Sequence, residues 1–207
     1  MTYYSQAGQD KWVHDLIGDK GFFVDVGAYD GVQTSNTYAL ELAGWTGICI
    51  EAERHAFDRC ALARPKSLCV RNAVTDHDGV ATFGTDRIVD GEGVGGQIVQ
   101  CRTLDSILDW VHYCHGIDYL SMDIEGHELT VLNVFPFKKY NIKLLTIEHN
   151  LYCDGPEKKN ALFELLTRNG FTRVREDVPC LDTNPLYFNQ PYEDWYASNS
   201  FYNAKIK

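Results

Sequence analysis

Three groups of side chains in this sequence have the types and the spacing to do chemistry. The first lies in "GFFVDVGAYDG", residues 21–31, where an apolar run ends on Asp25 and is followed by Gly27, Ala28, Tyr29 and Gly31. A glycine turn between a strand and a helix commonly holds a phosphate on backbone N–H groups and a helix N-terminus. The spacing here is D-x-G-x-x-x-G, not the G-x-G-x-x-G of dinucleotide sites. A carboxylate at that strand end would repel a pyrophosphate in a low-dielectric crevice and would attract a cation. S-adenosylmethionine meets the requirement: it has no phosphate, and it carries an ammonium, a sulfonium and an adenosine.

The second group extends the same crevice. Glu51 closes the next apolar run, "WTGICIEAE", and follows Gly31 by 20 residues. That is the distance at which an acid bonds ribose hydroxyls in folds of this kind. "RNAV" then offers Asn72 and Ala73 to the edge and face of an adenine. Tyr29, Ser35, Asn36 and Ala52 flank these positions and, with Asp123 further on, join the expected cofactor set. Taken singly, Asp25 reads as a turn cap and Glu51 as a solvated strand end. Both acids and both glycines in one register favour a ligand.

The third group is acidic. "SMDIEGHELTVL" carries Asp123, Glu125 and His127, and "TIEHN" carries Glu148 and His149. Asp123 and Glu125 are two apart and would share one side of an extended chain. "HELTV" lacks the second histidine of a zinc-protease helix. If both segments end strands at one crevice, Asp123, Glu148 and His149 converge. Such oxygen and imidazole donors suit Mg²⁺ or Mn²⁺, which would bind a substrate oxygen and lower its pKa. Without metal, His127 or His149 is the general base. A capped turn with surface acids and a satisfied strand-end histidine are the plainer alternatives.

These groups need a scaffold that ends several strands at one place. Strand-like runs alternate with helix-like runs, as in a parallel α/β sheet with ligands at the carboxyl ends of its strands. Strands are expected at 21–26, 45–51 and 67–74, with a short one at 80–85 and another at 98–104. Further strands fall at 117–125 and 144–150. Helices are expected near 35–43, 56–63 and 104–111, and over 158–170 with Gly170 as its stop. "FTRVRE" and "PLYFNQ" read as two antiparallel strands closing the chain. "GTDRIVDGEGVGGQ", residues 84–97, is either a surface loop or a lid over the substrate. Trp195 and Tyr196 either stack on a sugar ring or pack in the core.

Composition narrows the partners. The chain has 207 residues, enough for one domain with a full core, and is 44% hydrophobic and 23% charged. Its net charge is −10 and no Lys/Arg cluster occurs, which speaks against nucleic acid. No apolar run is long enough to span a bilayer, and "MTYYSQAGQDKW" has no signal-peptide pattern. Seven cysteines, an odd number with no C-x-x-C, argue against a zinc motif or a disulfide framework. Cys49, Cys69 and Cys101 read as small core residues. A reducing compartment, the cytoplasm, is the expected location.

The chain resembles the FkbM-type S-adenosylmethionine-dependent methyltransferases. The matching pieces are "YSQAGQD" at 4–10, "GFFVDVGAYDG", "SNTYALE", "GWTGICIEAE", "RNAV", "YLSMDIEGHELTVL" and "LLTIEHN". They run in the family's order over roughly the first three quarters of the chain. The resemblance implies one domain over 1–207 with a Rossmann-like class I methyltransferase fold. Its sheet would be seven-stranded and mostly parallel, with an antiparallel C-terminal strand and helices on both faces. It implies methyl transfer to a hydroxyl of a sugar or glycan, or else of a polyketide or other small molecule. By motif, Asp25, Gly27 and Ala28 line the methionine end, Glu51 holds the ribose, and Asn72 and Ala73 flank the adenine. Ser5, Gln6 and Gln9 would cap the cofactor. Asp123 and Glu148 stand where metal-using sugar methyltransferases carry acids, and His149 stands where a second acid is common. A nicotinamide-dependent oxidoreductase and a non-catalytic cofactor-binding module are the rival readings.

Overall fold

The computed structural model describes residues 1–84, 87–89, 96–113, 116–181 and 188–207. Its first half runs α1 (Gln9–Ile17), β1 (Phe22–Val26), α2 (Tyr38–Ala43), β2 (Thr46–Glu51), α3 (Arg54–Ala63), β3 (Ser67–Arg71), β4 (Ala73–Val74), β5 (Gly79–Phe83), β6 (Ile88–Val89) and β7 (Gln97–Arg102). Then come α4 (Leu104–Trp110), β8 (Ile117–Met122), α5 (Glu128–Val134), a 3₁₀ turn at Phe137–Lys139 and β9 (Ile142–Glu148). The chain closes with α6 (Leu151–Asp154), α7 (Pro156–Arg168), β10 (Phe171–Pro179), β11 (Pro191–Ser198) and α8 (Asn199–Lys205).

Seven strands form one sheet in the order β10-β11-β9-β8-β1-β2-β3. β11 is antiparallel to both of its neighbours, while the β9-β8-β1-β2-β3 pairs are parallel. The expected mostly parallel sheet with an antiparallel C-terminal strand is therefore present. Chain order reverses on either side of β1, which leaves a crevice at the carboxyl ends of β1 and β8.

Alternation along the strands separates two cores. Val24, Val26, Ile48, Ile50, Leu120, Met122, Leu145 and Ile147 face a layer that includes α4, α5 and α7. Phe23, Cys49, Tyr119, Leu144, Trp195 and Ala197 face the layer of α1, α2 and α3. Period-two geometry then puts Asp25, Ser121, Asp123, Glu148 and Glu193 on the second side. Local signals set the helix ends. Glu53 accepts from the Ala56 N–H at the start of α3, and Thr103 Oγ1 accepts from the Ser106 N–H at the start of α4. Past the end of α7, Gly170 adopts φ +87°.

Several expectations are corrected. The run at 67–74 is not one strand. β3 pairs with β2, the chain turns at the buried Asn72, and β4 pairs with β7 in a second sheet ordered β4-β7-β5-β6. The helix expected from residue 35 begins at Tyr38, because Ser35 Oγ accepts the N–H groups of Thr37 and Tyr38. "PLYFNQ" is not the last strand. Phe188 is exposed, Asn189 takes φ +61°, and β11 starts at Pro191; residues 182–187 lie outside the described set. Most of the glycine-rich stretch at 84–97 also lies outside the described residues. Trp195 and Tyr196 are each 1% exposed, so they pack in the core and present no face to a ligand. No helix among the described residues is long and apolar enough to cross a membrane.

Candidate active site

The crevice at the β1–β8 switch is a cavity of about 330 Å³, within the range of roughly 300–1,000 Å³ typical of small-molecule sites. Gln6, Asp25, Gly27, Ala28, Tyr29, Ser35, Asn36, Glu51, Ala52, Asn72, Ala73, Asp123 and Glu125 line it. The sequence-derived cofactor set thus falls on one cavity, apart from Ser5, whose hydroxyl donates to Asp10, and Gln9. Gln9 is buried beside Glu193 under the site, with its Oε1 accepting from the Ala7 N–H.

Gly27 is what allows the crevice to form. It adopts φ +89°, and a Cβ there would be driven into the Asp123 carbonyl oxygen. The turn is pinned from both sides. Gly27 and Ala28 donate their N–H groups to the Ile50 carbonyl at 3.0 and 3.1 Å, and Asp123 N donates to the Val26 carbonyl at 3.0 Å. Any side chain at residue 27 would separate the two strand ends that carry the acids.

Asp25 is buried against the same turn. Its carboxylate accepts from Thr37 Oγ1 at 2.6 Å. Burial pushes its pKa up, against the hydrogen bonds of Thr37 and Ser121 and the positive charge of Arg64. Arg64 braces the turn from behind. Its fully buried guanidinium donates to Glu41 (2.9 Å), the Gly31 carbonyl (3.0 Å), Ser35 (3.3 Å) and Thr37 (2.9 Å).

Glu51 tightens the next turn. Its Oε2 accepts from the Tyr29 N–H at 2.8 Å and its Oε1 from the Glu53 N–H at 2.7 Å. A carboxylate has about four acceptor sites, so lone pairs remain for a pair of ligand hydroxyls. Asn72 Nδ2 is buried, belongs to a cavity-lining residue, and has no hydrogen-bond partner among the described residues. A buried amide donor left this way is costly unless a ligand accepts from it. The cavity therefore offers an acceptor for hydroxyls at Glu51 and a donor for a base edge at Asn72. This acceptor and donor fit the adenosine end of S-adenosylmethionine.

At the rim, Asp123, Glu125 and Glu148 bring ligand oxygens within 4.8 Å of one another. Glu125 gets there through a tight turn, with φ +55° at Glu125 and +112° at Gly126, not through an extended chain. Glu128 holds that turn by accepting the N–H groups of Ile124 and Gly126 at 2.9 and 3.2 Å. Tyr192 donates its hydroxyl to Asp123 Oδ2 and lies 3.2 Å from Gln6 Oε1. Burial, then the charges of Asp123, Glu128 and Glu125, push Glu148 well above the usual carboxylate range. Glu148 is hydrogen-bonded to Asp123, whose own pKa is raised by burial. Burial and mutual repulsion disfavour two adjacent anions here, and the hydrogen bond between them favours the proton on Glu148 over Asp123. Next to them Glu193, bonded by the Trp195 indole, is pushed up to about 8 by burial.

The two histidines stand elsewhere. Glu148 and His149 are adjacent on one chain and so face opposite ways. His149 is buried, with its Nδ1 accepting from the Leu151 N–H at 3.2 Å. Its ring proton therefore lies on Nε2, which is 3.4 Å from Asp194 and 3.5 Å from Asp177. That cluster is closed by Lys159 on Asp177 (2.6 Å) and Arg173 on Asp194 (2.9 Å). The structure does not bring His149 to Asp123 and Glu148. His127 precedes α5, within electrostatic reach of Asp76, and does not line the cavity.

Sequence reasoning missed Arg64, Thr37 and Tyr192. Arg64 sits at the end of an ordinary amphipathic helix, and nothing in its spacing marks it. Thr37 was accessible: it lies between Asn36 and a helix, where a hydroxyl can bond to a neighbouring strand.

A family model described as Methyltransferase FkbM domain matches residues 25–172. Among curated proteins none matches the chain in sequence. Solved structures match over nearly the whole fold. A putative rRNA-methylase from Clostridium thermocellum is 12% identical, with 100% of this chain and 99% of that chain covered and a TM-score of 0.55. Aeropyrum pernix fibrillarin, with natively bound S-adenosyl-L-methionine, is 12% identical over 93% of this chain and 74% of that one, with a TM-score of 0.53. The 1,6-didemethyltoxoflavin-N1-methyltransferase of Burkholderia thailandensis, bound to S-adenosylhomocysteine, is 16% identical over 93% and 77%, with a TM-score of 0.52. At these identities the likeness is one of fold.

Proposed function

The chain belongs to the family of FkbM-type S-adenosylmethionine-dependent methyltransferases, and from that premise we propose that it methylates a hydroxyl oxygen of a neutral sugar or glycan. The observation that carries this reading is the Asp123–Glu148 pair at the rim of the cavity. It sets the half-buried Asp123 carboxylate, hydrogen-bonded to Glu148, whose pKa burial and neighbouring acids raise, next to the turn that would hold the methyl donor.

Bound S-adenosylmethionine supplies a methyl carbon already activated by its sulfonium. The chain has to align an oxygen with that carbon and remove a proton. Asp123 lines the cavity and would take the proton that the acceptor hydroxyl loses as it receives the methyl group. Burial raises the proton affinity of Asp123, which makes it a stronger base than a solvated carboxylate. Tyr192 fixes the orientation of Asp123. Asp25 lies on the side where the donor's ammonium would sit, and Glu51 would accept from its ribose hydroxyls. The acids at the rim disfavour an anionic acceptor, which supports a neutral hydroxyl as substrate.

Divalent metal is a second reading, favoured by the closeness of the Asp123, Glu125 and Glu148 oxygens. Oxygen donors of this kind suit Mg²⁺ or Mn²⁺. These three residues would hold the ion, which would lower the pKa of a substrate hydroxyl. His149 takes no part in such a site.

Transfer of labelled methyl to a panel of neutral sugars, with polyketide hydroxyls as comparators, tests the acceptor class. Label in a sugar methyl ether supports the proposal; label confined to polyketides, or none, overturns it. EDTA separates the two mechanisms: undiminished turnover leaves Asp123 as the base, and loss restored by Mn²⁺ favours the metal. Glu51→Gln is expected to weaken S-adenosylmethionine binding by about tenfold or more, the scale of a charge-assisted bond. Calorimetry measures this, and unchanged affinity would remove Glu51 from the ribose site.

A further inference from the structure

Away from the cavity, three thiols meet where α3 packs on β2 and β3. Cys49 comes from β2, Cys60 from α3 and Cys69 from β3, and their sulfurs all lie within 4.8 Å of one another. Cys49 and Cys69 are register partners on adjacent parallel strands, and the Cys60 and Cys69 sulfurs are 3.8 Å apart. All three are free thiols. Cys49 and Cys60 are buried, and Cys69, on the edge strand, is half-buried. Among the described residues no histidine or carboxylate joins the group. Sequence spacing could not reveal this convergence, because each thiol comes from a different element.

We propose that Cys49, Cys60 and Cys69 form a binding site for a monovalent thiophilic ion, copper(I), held by three sulfurs without a fourth protein ligand. Soft thiolates select copper(I), zinc or iron–sulfur clusters. Structural zinc takes four protein ligands, and only three are offered here. Metal–thiolate bonds of about 2.3 Å place three sulfurs about 4 Å apart around one ion. The observed separations reach that with shifts below about 1 Å. The thiols release their protons to solvent as they bind. The half-buried Cys69 gives a way in. A Cβ at Gly31 would lie 2.9 Å from the Cys60 sulfur, so the ion would sit behind the glycine turn and outside the cavity. The site stands or falls independently of methyl transfer.

The test is an anaerobic titration of the reduced chain with copper(I) in competition with a chromogenic copper(I) chelator. One ion per chain should be retained, with ultraviolet thiolate-to-copper absorption. Cys69→Ser and Cys60→Ala should each lower the affinity at least tenfold, while Cys101→Ser should not. Circular dichroism checks the fold of each variant, and the half-buried Cys69 is the position least able to disturb it. Three outcomes would each overturn the proposal: no retention against the chelator, retention unchanged in a folded Cys69→Ser chain, or one equivalent of Zn²⁺ held where copper(I) is not.

Discussion

Asp123→Asn should lower kcat for methyl transfer by about 10²–10⁴-fold, the usual contribution of a positioned general base, with S-adenosylmethionine affinity nearly unchanged. The substitution keeps size and shape, and the amide oxygen can still accept from Tyr192. What it removes is the proton-accepting charge. The wild-type rate should also fall as pH drops through the raised range of the Asp123–Glu148 pair, because the base works only when ionised. The Asn variant should lose that dependence. Steady-state rates across pH, with calorimetry for the donor, measure both effects. A rate within threefold of wild type would remove Asp123 as the base, and loss of donor binding would make it a cofactor ligand instead.

Arg64→Leu should destabilise the fold by about 3–5 kcal/mol, the usual cost of stripping one partner from a buried ion pair. For a chain of this size that lowers the unfolding midpoint by roughly 6–20 °C. The guanidinium satisfies Glu41, the Gly31 carbonyl, Ser35 and Thr37 at once. It also lies 5.2 Å from the Phe23 ring and 5.6 Å from the Tyr38 ring. Leucine would leave Glu41, itself buried, with Ser67 and Lys66 as its donors among the described residues. Lysine should not rescue it, because a single ammonium cannot reproduce the planar fork that reaches four acceptors. Thermal unfolding measures this, and a loss below about 1 kcal/mol would show that Arg64 is not the keystone of the turn.

The contrast between these two residues shows what a sequence displays. Asp123 was legible because it ends an apolar run, and chain direction fixes where a parallel strand ends. Asp25, Gly27, Glu51 and Asn72 were legible for the same reason: each is tied to a strand end or a turn. Arg64 was not, since an arginine on an amphipathic helix looks solvated until Glu41 and the Gly31 carbonyl are brought to it from distant positions. β11 was misplaced because its buried Glu193 and Asp194 break the apolar pattern of a strand. Those charges are tolerated through the Trp195 indole, Arg173 and His149. His149 was grouped with Glu148 by adjacency, although alternation sends neighbouring side chains to opposite faces. The second sheet was hidden because the chain passes from β3 to β4 without a glycine or proline to mark the turn at Asn72.

Calorimetric titration of S-adenosylmethionine into the purified chain probes the cavity itself. One equivalent should bind, be displaced by S-adenosylhomocysteine, and bind more weakly to the Glu51→Gln chain. Heat from a nicotinamide dinucleotide with none from S-adenosylmethionine would mean that the crevice beside Asp25 holds a pyrophosphate after all.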